Sequence, residues 1–136
     1  MVIREAGILI NKVPIIYANY PKAYEDELNL IFTSELMSGL LIFAEYVMTP
    51  IEYFENNEYT LIFKTGQFHD YDGKIQEITA FLVMDKNKKL EKYLDKNLNP
   101  LLEELLGKFI SQFYGCKITE VAQFEPFKKM INQIFY

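Results

Sequence analysis

From Ile75 to Met84 the chain is a nearly continuous apolar run, entered through Asp72-Gly73, a strong turn signal. A run of this length and character reads as a strand covered on both faces, which requires chain packed above and below it. Ile8 to Ile10 has the same character, so these two segments are expected at the middle of one sheet. Val2 to Ile10 and Val13 to Tyr20 flank Asn11-Lys12, and an Asn with a polar neighbour between two apolar runs predicts a tight hairpin. Pro14 cannot donate a ladder hydrogen bond, which suits an edge strand or the first residue of a strand. Ile51 to Phe54 and Tyr59 to Phe63 are two further short strands, joined through Glu55-Asn56-Asn57-Glu58, and Thr65 to Lys74 reads as a polar loop. The second and third strands, shorter and more broken, are expected at the sheet edges.

Between the second and third strands the pattern is helical, from Glu25 to Met48. Glu25, Asp26 and Glu27 put negative charge in the first turn, where the helix dipole favours it. Thr49-Pro50 ends the segment, because a residue before proline avoids the α region. At 100° per residue, Leu28, Phe32, Leu36, Leu40, Phe43 and Val47 form one stripe. Leu30, Met37, Leu41, Ala44 and Met48 extend it around the cylinder, leaving Ser34, Glu35, Ser38 and Glu45 on a narrow polar face. A surface helix needs an apolar stripe only a little over about 100° wide. This helix is more apolar than covering one sheet requires.

Asn87 onward is helical to about Tyr114, interrupted at Asn99-Pro100, with Asn99 expected as N-cap and Pro100 as first helical residue. Leu101, Leu102, Leu105, Leu106, Phe109, Ile110 and Phe113 form a broad core-facing stripe, and Gly115 fits a left-handed C-cap. A last helix is expected from about Phe124 to Ile134. The order is therefore β-β-α-β-β-β-α-α. The expected fold is an α/β sandwich of the α+β kind, with a mainly antiparallel five-stranded sheet, one helix on one face and two on the other. Residues 1–136 are expected to form a single domain, the usual size for one core.

Composition narrows the function. Half of the residues are hydrophobic, which is ample for a packed interior and argues against disorder. The formal charge is −5, and Lys86, Lys88, Lys89 and Lys92 alternate with other residues instead of forming a basic block. Nucleic-acid binding through phosphate neutralisation needs clustered cations, so it is not expected, and neither is purely electrostatic attachment to acidic lipid. No stretch approaches roughly 18 uncharged apolar residues, so stable membrane insertion is not expected. Arg4, Glu5, Asn11, Lys12 and Pro14 interrupt the first twenty residues, unlike a signal peptide. Cys116 is the one cysteine, which excludes an internal disulfide and a multi-thiol metal site. A reducing cytoplasm is the expected setting.

Specific chemistry is sparse. His69 is the one histidine, so no His-paired metal site can form. His69-Asp70-Tyr71-Asp72-Gly73 resembles the start of a calcium loop, but the glutamate that should close such a loop is missing; a hairpin loop is the plainer reading. Cys116 has no histidine in its own segment to act as base and reads as a small hydrophobe. There is no G-x-x-x-x-G-K-S/T loop, no G-x-G-x-x-G and no G-x-S-x-G elbow. No catalytic residue, metal or cofactor is expected. What remains is the apolar excess of the first helix, Met37, Leu41, Ala44 and Met48. It either packs beneath a loop or, with Ile51 and Tyr53 on the next strand, docks another protein.

Two strands opening at Ile3-Arg4-Glu5-Ala6-Gly7-Ile8, a long helix carrying Ser38-Gly39-Leu40-Leu41-Ile42-Phe43-Ala44-Glu45, then three strands and two helices, resemble a longin domain. The likeness covers essentially the whole chain in topology, and the Ile-, Lys-, Asn- and Tyr-rich composition resembles stand-alone longin-like proteins of archaea. Roadblock domains are related, but carry an extra helix before the first hairpin and one fewer at the end. The longin resemblance implies a non-enzymatic platform that binds a small Ras-like GTPase or another longin or roadblock domain, in a trafficking or GTPase-regulatory complex; a homodimer is the other partner it implies. By element position the binding surface would be Met37, Leu41, Ala44, Glu45, Ile51 and Tyr53. The sequence ends at Tyr136 with no SNARE helix following, so an adaptor is expected rather than a SNARE. The alternative is a PAS- or profilin-like module that binds a small molecule or a cytoskeletal partner.

Overall fold

The structure, a computed structural model, describes residues 3–20, 39, 42, 53–55, 59–85 and 98–135. Among these residues there are five strands: β1 (Ile3–Ile10), β2 (Val13–Asn19), β3 (Tyr53–Glu55), β4 (Tyr59–His69) and β5 (Ile75–Asp85). They form one sheet in the order β2-β1-β5-β4-β3, with every neighbouring pair antiparallel. Among the described residues after β5, two helices follow, α1 (Asn99–Phe113) and α2 (Lys128–Phe135), with a 3-10 segment (Val121–Phe127) leading into α2. The fold is mixed α+β. The apolar run and β1 lie side by side inside the sheet, and β2 and β3 are its edges, as their burial patterns require.

Local chemistry explains the connections. Asn11 and Lys12 both take positive φ, 48° and 68°, the left-handed pair that a two-residue hairpin needs to match strand twist. Asn11 anchors this turn to β5: its amide donates to the Glu77 carbonyl at 2.9 Å, and its side-chain oxygen accepts from the Glu77 amide at 3.2 Å. Pro14 sits on edge strand β2, where its missing donor disturbs only one ladder position, opposite Leu9. Gly115 (φ 77°) turns the chain after α1, and its amide donates to the His69 carbonyl at 2.8 Å.

The sheet has two apolar faces. Ala6, Ile8, Ile62, Ala80 and Leu82 on one face meet Leu102, Leu105, Leu106, Phe109 and Phe113 of α1, with Ile131 of α2 beside them. Phe109, Phe113, Phe124 and Phe127 pack as a ring cluster with centroid separations of 4.7 to 5.9 Å, in tilted and edge-to-face arrangements favoured by the ring quadrupoles. Both helices therefore cover the same face. Leu9, Leu61, Phe63, Phe81 and Val83 line the other face and are also buried. The helix expected over Glu25–Met48 lies outside the described residues, except for Gly39 and Ile42, each helical.

Several expectations are corrected. β4 does not stop at Phe63; it continues to His69 and pairs with β5 from Tyr59↔Asp85 to His69↔Ile75. The polar side chains of Thr65, Gln67 and His69 alternate outward while Phe68 is buried, and the backbone ladder does not require both faces to be apolar. Gly66 belongs to this stretch because α1 crosses there, with Leu106 Cδ2 only 3.0 Å from where a Cβ would stand. Asn99 is the first residue of α1 and not its cap; Leu98 precedes it in helical conformation and offers no capping side chain. The last helix starts later than Phe124, because the chain from Val121 to Phe127, with Pro126 inside it, winds as 3-10. β3 is described over Tyr53–Glu55, one residue past the expected Phe54, while its expected start at Ile51 lies outside the described residues.

Candidate functional site

Of the six residues expected at a binding surface, the described residues include Tyr53. It lies on edge strand β3, opposite Ile62 of β4, and is 38% exposed. Its hydroxyl donates to the carboxylate of Glu55, two residues on and therefore on the same side of the strand. Phe54 between them turns the other way and packs with Leu61 and Phe63. On the face it shares with Ile62, β3 thus presents an aromatic ring and a carboxylate held together. Met37, Leu41, Ala44, Glu45 and Ile51 lie outside the described residues.

Ile42 was not among those six. It is helical and 56% exposed, and it stands four residues after Ser38 and three before Glu45, the spacing that places it among polar residues on a helix face. The signal was in the sequence: an isoleucine inside the narrow polar face of the expected helix.

The segment that resembled a calcium loop has a structural use. Asp70 Oδ1 accepts from the amides of Asp72 and Lys74, each at 2.9 Å, and Oδ2 accepts from Gln76 Nε2 at 2.7 Å. This is an Asx turn that closes the β4–β5 hairpin, with Gly73 at φ 75°. The Gln76 hydrogen bond, with help from the Lys74 and Asp72 amides, holds the Asp70 carboxyl below its ordinary value against a partial desolvation penalty. The hairpin tip docks on the turn after α1, where the Tyr71 amide donates to the Cys116 carbonyl at 2.9 Å and Lys117 Nζ lies 4.8 Å from the centre of the Tyr71 ring. The His69 and Tyr114 rings are 6.0 Å apart at the same corner.

Cys116 is half-buried, and burial pushes its thiol up from the ordinary value; the Asp70 and Glu120 charges act in the same direction. A reactive thiol needs the opposite, a depressed value in an electropositive setting. Among the described residues no group of three or more His, Cys, Asp or Glu side chains is placed to hold a metal ion. Nor, among those residues, is any helix long and apolar enough to cross a membrane.

The charged pair Arg4-Glu5 carries more than its place in an apolar strand suggested. Arg4 is the extra residue of a β-bulge between the pairs Ile3↔Met84 and Glu5↔Val83. Its buried guanidinium makes a two-pronged contact with Asp85, Nε to Oδ1 and Nη2 to Oδ2, both 2.8 Å. Glu5 is fully buried beside it. This cluster ties the first strand to the end of the central one.

Comparison of the chain with protein-family models, with curated proteins and with solved structures finds no match.

Proposed function

We propose that this chain is a non-enzymatic, longin-like adaptor whose third strand and first helix form a docking surface for a small Ras-like GTPase or for a related longin or roadblock domain. The observation that carries the reading is the exposed aromatic ring of Tyr53 on the edge strand of a sheet ordered β2-β1-β5-β4-β3. An opening hairpin, a three-strand meander and two closing helices on one face agree with the element order that the resemblance implies. Exposed Ile42 falls on the side of the expected helix that carries Glu45, away from Met37, Leu41 and Ala44, and gives that polar side one apolar contact. An aromatic residue and aliphatic neighbours within a polar rim supply the desolvated centre that protein interfaces use. An edge strand adds backbone donors and acceptors for pairing. The cytoplasm is the setting in which such a partner would be met.

The test is a binding assay with purified Ras-like GTPases, loaded with GDP or with a non-hydrolysable GTP analogue. Tyr53→Asp and Ile42→Asp alter exposed side chains and should leave the fold intact, while Leu41→Asp probes the apolar excess. A loss of binding of about tenfold or more in folded variants is expected, as for central interface residues. Equal binding by folded wild type and variants, or a wild type that binds neither a GTPase nor a purified longin or roadblock domain in the same assay, overturns the reading.

A further inference from the structure

We draw no further inference here: the strongest candidate, the uncharged outer edge of β2 from Ile16 to Asn19, carries nothing because nothing in the structure shows which chain would pair with it.

Discussion

Gly7→Ala adds one methyl group, and the structure says where it would go. Gly7 lies on β1 between Tyr17 of β2 and Phe81 of β5. A Cβ there would stand 2.4 Å from the Ile16 carbonyl oxygen, 2.6 Å from Tyr17 Cβ and 2.8 Å from Phe81 Cζ. All three separations are shorter than side chains tolerate, and the first two involve β2 close to its backbone, so rotating one side chain cannot relieve them. Overpacking a close-packed interior costs about 1–3 kcal/mol, sometimes more, because neighbours move together. Alanine's advantage over glycine in the unfolded chain offsets about 0.4–1 kcal/mol of that. Three contacts under 3.0 Å put the change in the upper part of that range, about 2–3 kcal/mol, so a net loss of about 1–2.6 kcal/mol follows, which lowers the midpoint of thermal unfolding by about 3–10 °C for a domain of this size. Circular-dichroism melts and urea titrations of wild type and Gly7→Ala measure it. Adding Phe81→Leu should restore little, since it relieves only the third contact. A Gly7→Ala protein as stable as wild type, or full recovery on adding Phe81→Leu, would refute the reasoning.

Three further outcomes are expected. Asp85→Ala removes the two-pronged partner of the buried Arg4 cation and should cost about 3 kcal/mol in urea unfolding; Arg4→Met should cost less, because the Asp85 side chain is 28% exposed and rehydrates. Indistinguishable losses would show that the pair is not what holds β1 to β5. The Asp70 carboxyl is depressed in the folded state, so its stabilisation is present above the unfolded value near ~3.9 and disappears as pH falls through the lower folded value. Melts between pH 5 and pH 2 should therefore fall more steeply for wild type than for Asp70→Asn, and parallel curves would contradict the Asx-turn account. The raised thiol of Cys116 should be alkylated by iodoacetamide at pH 8 more slowly than glutathione is, and a faster reaction would contradict its half-buried setting.

The elements most legible in the sequence are those governed by neighbours along the chain. Asn11-Lys12, Asp72-Gly73 and Gly115 announce turns because few residues accept positive φ, and all three sites have it. The run ending at Met84 announces a central strand because only a position covered on both sides tolerates such a run. The stripe of α1 was equally plain, with Leu102, Leu105, Leu106, Phe109 and Phe113 buried at helical spacing. The extension of β4 past Phe63 was not, since Thr65-Gly66-Gln67 has the composition of a loop. It becomes strand because β5 offers eleven consecutive residues to pair with. At the candidate surface, Tyr53 follows from element position and is exposed, whereas Ile42 stands on the polar side of the expected helix, where periodicity gives an isoleucine no role.

Among the described residues, the sequence by itself determined three turns, the order of the five strands ahead of two helices, and which strand could be central. Each of these rests on φ preferences, periodicity or burial that a residue carries wherever it sits. Tertiary structure decided the rest. A charged Arg4-Glu5 pair could enter β1 because a bulge brings Arg4 to Asp85, eighty-one residues away. Gly7 is needed because Tyr17 and Phe81 close over it from two different strands. Asp70, a ligand-like residue in the sequence, spends its oxygens on its own hairpin. In each case the deciding partner lies across a fold, and desolvation or contact at a few ångströms sets the role that residue type alone leaves open.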